Sequence, residues 1–107
     1  SFFTFKPEYG DTKFKNFLEN KKVNKDIINR IISRMSDLNN KIKEDDLNLG
    51  KGYCVGHSFF CPSNEEQKLD EEWYKRIVKY KINPLLEEYF KGEESKTISQ
   101  FKSILLP

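Results

Sequence analysis

The chain is poor in the residues from which disulfides, membrane spans and forked phosphate contacts are made. Cysteine occurs only twice in 107 residues, as Cys54 and Cys61, too few for a disulfide framework. No apolar run approaches the roughly 20 residues that cross a bilayer, and no signal-like segment is present. Arginine is scarce too: of 19 basic residues only Arg30, Arg34 and Arg76 are arginines. The guanidinium is the group that forks onto phosphates and base edges, so this scarcity argues against a nucleic-acid surface. A phosphate loop of the form G-x-x-x-x-G-K-S/T is missing. Gly50-Lys51-Gly52 has neither the glycine spacing nor the hydroxyl residue that must follow the lysine. Nor does any hydrophobic strand end in the paired acids that a Mg²⁺ site for nucleotide hydrolysis needs. The expectation is a reduced, soluble, cytoplasmic protein that does not hydrolyse nucleotide by itself.

What is present suits a small helical domain with a thin core. Apolar residues make up 36% of the chain and charged residues 34%. Aromatics, at 14%, supply much of the burial, because each removes roughly 150–250 Å² from water. Nineteen basic residues are interleaved with seventeen acidic ones for a net charge of +2, so no one-signed face is visible. The opening run Ser1-Phe2-Phe3-Thr4-Phe5 is more apolar than a free terminus usually is, so the chain reads as part of a longer protein.

Periodicity places the elements. Phe2 to Lys6 predicts a short strand stopped by Pro7. Asp11 caps a first helix with Phe14, Phe17 and Leu18 on one face. Asn24 caps a second, over about 25 to 44, whose apolar stripe runs Ile27, Ile28, Ile31, Ile32, Met35, Leu38 and Ile42. Leu47 to Phe60 is a glycine-punctuated loop with a short extended piece around Tyr53–Val55, and Pro62 to Lys68 is a polar surface loop. Asp70 caps a third helix carrying Trp73, Ile77 and Tyr80. At Asn83-Pro84, an N-cap followed by proline, it kinks or restarts. Leu85, Leu86, Tyr89 and Phe90 form the next buried face, Gly92 ends it, and a last helix from Ser95 buries Ile98, Phe101, Ile104 and Leu105. The fold class is mainly α: four to five helices in a small bundle, with one or two short strands.

Few constellations carry chemistry. Cys54-x-x-His57-x-x-x-Cys61 brings three soft ligands together, but a structural zinc site wants four, and core cysteines are the better reading, so no metal is assigned. His57, the single histidine, admits two readings. It ties down its loop through neighbouring carbonyls, or it donates to a nucleotide phosphate with help from the N–H groups of a following helix start. Glu87-Glu88 and Glu93-Glu94 are adjacent on helices and point about 100° apart, so a solvated face explains them better than paired catalytic acids. Trp73, Tyr80 and Phe90, at helical spacing, fit core packing better than a base-stacking platform.

Three ordered blocks carry a family resemblance. They are Leu38-Asn39-x-x-Ile42-x-x-Asp45, Leu49-Gly50-x-x-Tyr53-x-Val55-Gly56-His57-Ser58-Phe59-Phe60, and Trp73 followed by Ile82-Asn83-Pro84-Leu85-Leu86-Glu87-Glu88-Tyr89-Phe90. Together they resemble the C-terminal part of McrB-type AAA+ NTPases. The resemblance implies that residues 1–10 are the last core strand and hinge of a parent AAA+ domain, and residues 11–107 its helical lid. The phosphate-binding elements would lie upstream. GTP or ATP with Mg²⁺ would belong to the intact parent, with no cofactor expected for this fragment. Implied partners are neighbouring subunits of a ring, a partner endonuclease, and DNA indirectly through other domains, with no membrane. Gly56-His57-Ser58 occupies the place of the lid's phosphate sensor, where other AAA+ lids carry an arginine. Tyr9, beside Pro7 at the hinge, joins these three as a nucleotide-binding candidate. The alternative is a stand-alone helical module that binds protein or nucleic acid.

Overall fold

Three aspartate and asparagine caps set where the helices begin. The computed structural model describes residues 9–45, 54–62 and 68–106. The expected strand at Phe2–Lys6, the Tyr53 end of the extended piece and most of the loop after Pro62 lie outside the described residues. Asp11 accepts from the Lys13 N–H at 2.9 Å and starts α1, Thr12–Asn20, which buries Phe14 and Leu18. Asn24 accepts from the Asp26 N–H at 2.8 Å and starts α2, Lys25–Glu44. Asp26 in its first turn and Lys41 and Lys43 in its last complement the helix dipole.

Between α1 and α2 the chain turns through a Schellman cap. The Val23 N–H reaches the Leu18 carbonyl at 3.1 Å, and the Lys22 N–H reaches that of Glu19 at 3.0 Å. Val23 and Leu18 are both buried, which supplies the apolar contact usual for the motif. The residue forced into the left-handed region is Lys22, at φ 66°, a position that glycine normally holds.

The α2 helix is the spine. Ile31, Met35, Leu38 and Ile42 are wholly buried, and α1, α3 and α5 all pack on it. Asp70 accepts from the Trp73 N–H at 3.0 Å and caps α3, Glu71–Ile77. A π-helical turn, Val78–Ile82, follows, and then α4, Asn83–Tyr89, so that the three make one continuous rod. Gly92, at φ +93°, takes the chain out of α4 towards α5, Ser95–Leu105, which packs on α2 and α4.

The rod departs from the sequence expectation at Asn83-Pro84. Asn83 does not cap a new helix; its backbone is helical at φ −57°, and its N–H reaches back to the Val78 carbonyl, five residues earlier. Pro84 has no N–H to give the Tyr80 carbonyl, and its ring would press on that group in a regular α-turn. Widening the preceding turn by one residue relieves the crowding without breaking the rod. The extra residue also rotates the buried face. Tyr74, Val78, Ile82 and Leu86 are buried at spacings of four, while Tyr80, expected on the inner face, is 64% exposed. Trp73 and Phe90 are buried in the core, as packing rather than stacking residues. No strand occurs among the described residues. Nor, among them, is any helix long and apolar enough to cross a membrane.

Candidate functional site: the Gly56–Ser58 turn and its supports

The segment carrying Gly56, His57 and Ser58 is held from two sides. On one side stands Asn39, the buried polar residue of the core. Its carboxamide Nδ2 donates to the Val55 carbonyl at 2.9 Å, and its Oδ1 accepts from the Val55 N–H at 2.7 Å. This is the bond pair that an antiparallel strand would make with Val55, supplied by a side chain. The extended piece expected around Tyr53–Val55 therefore pairs with α2 at Val55 and forms no strand there. The Cys54 thiol donates to the Asn39 backbone carbonyl at 3.6 Å, adding a third contact at the same place.

On the other side stands Tyr9. Its hydroxyl donates to the Gly56 carbonyl at 2.5 Å, joining positions 47 residues apart in the chain. Burial, with smaller contributions from Cys61 and Tyr74, pushes the Tyr9 phenol far above its ordinary range, so it remains a protonated donor. Tyr9 also meets Phe14 edge-on, with ring centroids 5.4 Å apart. The His57 imidazole lies nearly parallel to Phe14 at 4.9 Å and edge-on to Tyr9 at 6.0 Å.

Beyond Gly56 the chain makes one 3₁₀ turn, His57–Phe60, rather than a longer helix, so the dipole expected to aid an anion is short. Gly56 sits at φ −77°, a conformation open to any residue. Ser58 is exposed, His57 half-buried and Phe60 wholly buried, anchored between Trp73 and Tyr74. The Cys61 thiol, its pKa raised by burial, donates to the His57 carbonyl at 3.5 Å. The two thiols thus face different backbone carbonyls.

The structure brings Tyr9 to Gly56 and His57, 47 and 48 residues along, and leaves Ser58 on the outer side of the turn. The sequence reading missed the role of Asn39. Its signal was legible: an asparagine on the inner face of an apolar helix has to be satisfied by a fixed partner. The glutamates divide. Glu87 pairs with Lys102 across α4 and α5, while Glu88, Glu93 and Glu94 are exposed.

The described residues form a capped helical bundle that holds a glycine-histidine-serine turn beside its long central helix. Residues 30–97 match the family model described as the McrB alpha-helical lid domain, and the chain belongs to that family. Over 91 residues the chain is 40% identical to the Type IV methyl-directed restriction enzyme EcoKMcrB subunit of Escherichia coli K12. That stretch is 84% of this chain and 20% of the relative, so the chain spans about a fifth of the relative's length. It corresponds to the lid region of an McrB-like restriction subunit.

Proposed function

We propose that this lid closes over the nucleotide of a GTP- or ATP-hydrolysing AAA+ ring subunit in a cytoplasmic DNA restriction system. In this reading residues 1–10 are the end of the core and the hinge, and residues 11–107 move as the lid. The hydrolytic groups and Mg²⁺ ligands belong to upstream parts of the parent. Neighbouring subunits and a partner endonuclease are the protein partners, and DNA is reached through other domains.

The observation that carries the reading is the Tyr9–Gly56 hydrogen bond. It ties a residue of the expected hinge segment to the turn that bears His57 and Ser58, so hinge movement and turn position would be mechanically linked. Gly56, His57, Ser58 and Tyr9 are the residues assigned to the nucleotide side. His57 and Ser58 would donate to phosphate or ribose oxygens, while Phe14, stacked on the imidazole, and Tyr9, edge-on to it, fix its plane.

The test is His57→Ala and His57→Gln in the full-length parent, with hydrolysis and thermal stability measured together. Hydrolysis lost in both, with folding retained, is the expected result. Undiminished hydrolysis in both would assign His57 to packing alone and remove the nucleotide role.

A further inference from the structure

The three arginines of the chain, scattered in sequence, converge in space. Arg30 and Arg34 lie one turn apart on α2, and Arg76 lies on α3, yet all three line one open cleft of about 800 Å³. Lys75 and Lys79 share its walls, as do Glu71 and Glu72, the strongly exposed Tyr80, and Leu106. None of the four nucleotide-side candidates belongs to it, so the cleft is independent of the function proposed above.

Its charges are unequally matched. Glu71 accepts from Arg30 at 2.8 Å and from Lys75 at 3.3 Å, and Glu72 lies 3.8 Å from Lys75. Both carboxylates are therefore already engaged. Among the described residues, no carboxylate lies within ion-pair reach of Arg34, Arg76 or Lys79. Arg34 is held in place, donating to the Leu105 carbonyl at 2.9 Å beside the Tyr74 hydroxyl, which donates to the same oxygen at 2.8 Å. A guanidinium fixed in place, sharing its cleft with Arg76 and Lys79, is built for a carboxylate.

We propose that this cleft docks an acidic segment of a partner protein. Its carboxylates would bind Arg34, Arg76 and Lys79, and an apolar side chain would lie against Tyr80 and Leu106. Two features favour a peptide over a nucleic-acid backbone. Glu71 and Glu72 stand in the wall, where a continuous phosphate track would be repelled, while a peptide spaces its charges. The combination of arginine, an exposed tyrosine and an apolar residue is also the composition of protein-interface centres.

The test is fluorescence anisotropy of a labelled peptide of repeating Glu-Glu-Leu, titrated with the whole chain and with an Arg76→Glu, Lys79→Glu variant. A labelled DNA duplex and sedimentation of the chain alone are run alongside. The expected result is salt-sensitive peptide binding that weakens at least about tenfold in the variant, with its melting temperature unchanged. If the charge reversals lower the melting temperature, Arg76→Gln is the variant on which the affinity is judged. Absent binding, binding indifferent to the variants, or tighter binding of the duplex would overturn the proposal. So would self-association of the chain through the same residues.

Discussion

Asn39 and Val55, sixteen residues apart, are joined by two hydrogen bonds that run in opposite directions between one carboxamide and one peptide unit. The side chain does for the loop what a neighbouring strand would do. A loop residue buried as deeply as Val55 has to satisfy both its N–H and its carbonyl, and α2 meets both with one carboxamide, because its own mid-helix N–H groups are spent within the helix.

Replacing Asn39 by leucine removes both bonds and strands the Val55 N–H and carbonyl away from water. Each such group costs about 1–3 kcal/mol, so a total loss of about 2–6 kcal/mol is expected in urea unfolding. Asn39→Asp should also destabilise, since it keeps the acceptor but turns a charge towards the Val55 carbonyl. Stability of Asn39→Leu within about 0.5 kcal/mol of the parent would contradict the clamp.

Tyr9 and Tyr74 predict an alkaline limit. Burial raises both phenols, so the folded state favours their neutral forms more than the unfolded chain does. The stability they contribute is complete below the unfolded tyrosine value, about pH 10, and is lost as pH rises through their folded values. Unfolding free energy should therefore fall above about pH 10, and less steeply in Tyr9→Phe. Below that pH, Tyr9→Phe should cost about 0.5–1.5 kcal/mol for the bond to Gly56. Parallel curves for the two proteins up to about pH 12 would refute the assignment.

Lys22 predicts a gain. A residue with a Cβ in the left-handed region is disfavoured by about 1–2 kcal/mol, and glycine gives back about 0.5–1 kcal/mol through the freedom of its unfolded chain. Lys22→Gly should therefore raise stability by about 0.5–1 kcal/mol, seen as a higher denaturation midpoint at unchanged m-value. A lowered midpoint would mean that the lysine side chain matters to the turn.

Ile31 and Tyr80 give opposite expectations. Ile31 is wholly buried in α2, and Ile31→Ala should cost about 2–5 kcal/mol. Tyr80→Ser, at an exposed position that the regular helical stripe would place inside, should change stability by no more than about 0.5 kcal/mol. Equal losses from the two, by thermal or urea unfolding, would restore the unbroken α-periodicity that the π-turn replaces.

Much of the fold was legible because helix ends and helix faces are local matters. Asp11, Asn24 and Asp70 each cap the helix expected of them, and α2 spans the expected residues 25 to 44. A cap needs only N–H groups two or three residues away, and an apolar stripe needs only the 3.6-residue period. The turn holding Gly56, His57 and Ser58 was likewise visible as a motif, since its residues are consecutive.

Sequence alone, then, determined a capped helical bundle, its central helix and the identity of the candidate turn. Only the tertiary structure decided what holds that turn, which face of the rod is inside, and where the arginines gather. The Tyr9–Gly56 bond closes a separation of 47 residues, and the Asn39 clamp one of 16. The π-turn trades helical phase against the crowding at Pro84. The cleft assembles Arg30, Arg34 and Arg76, whose scarcity in the sequence had argued against a nucleic-acid surface. Contacts of that kind depend on how helices pack against one another, and no window of neighbouring residues contains that information.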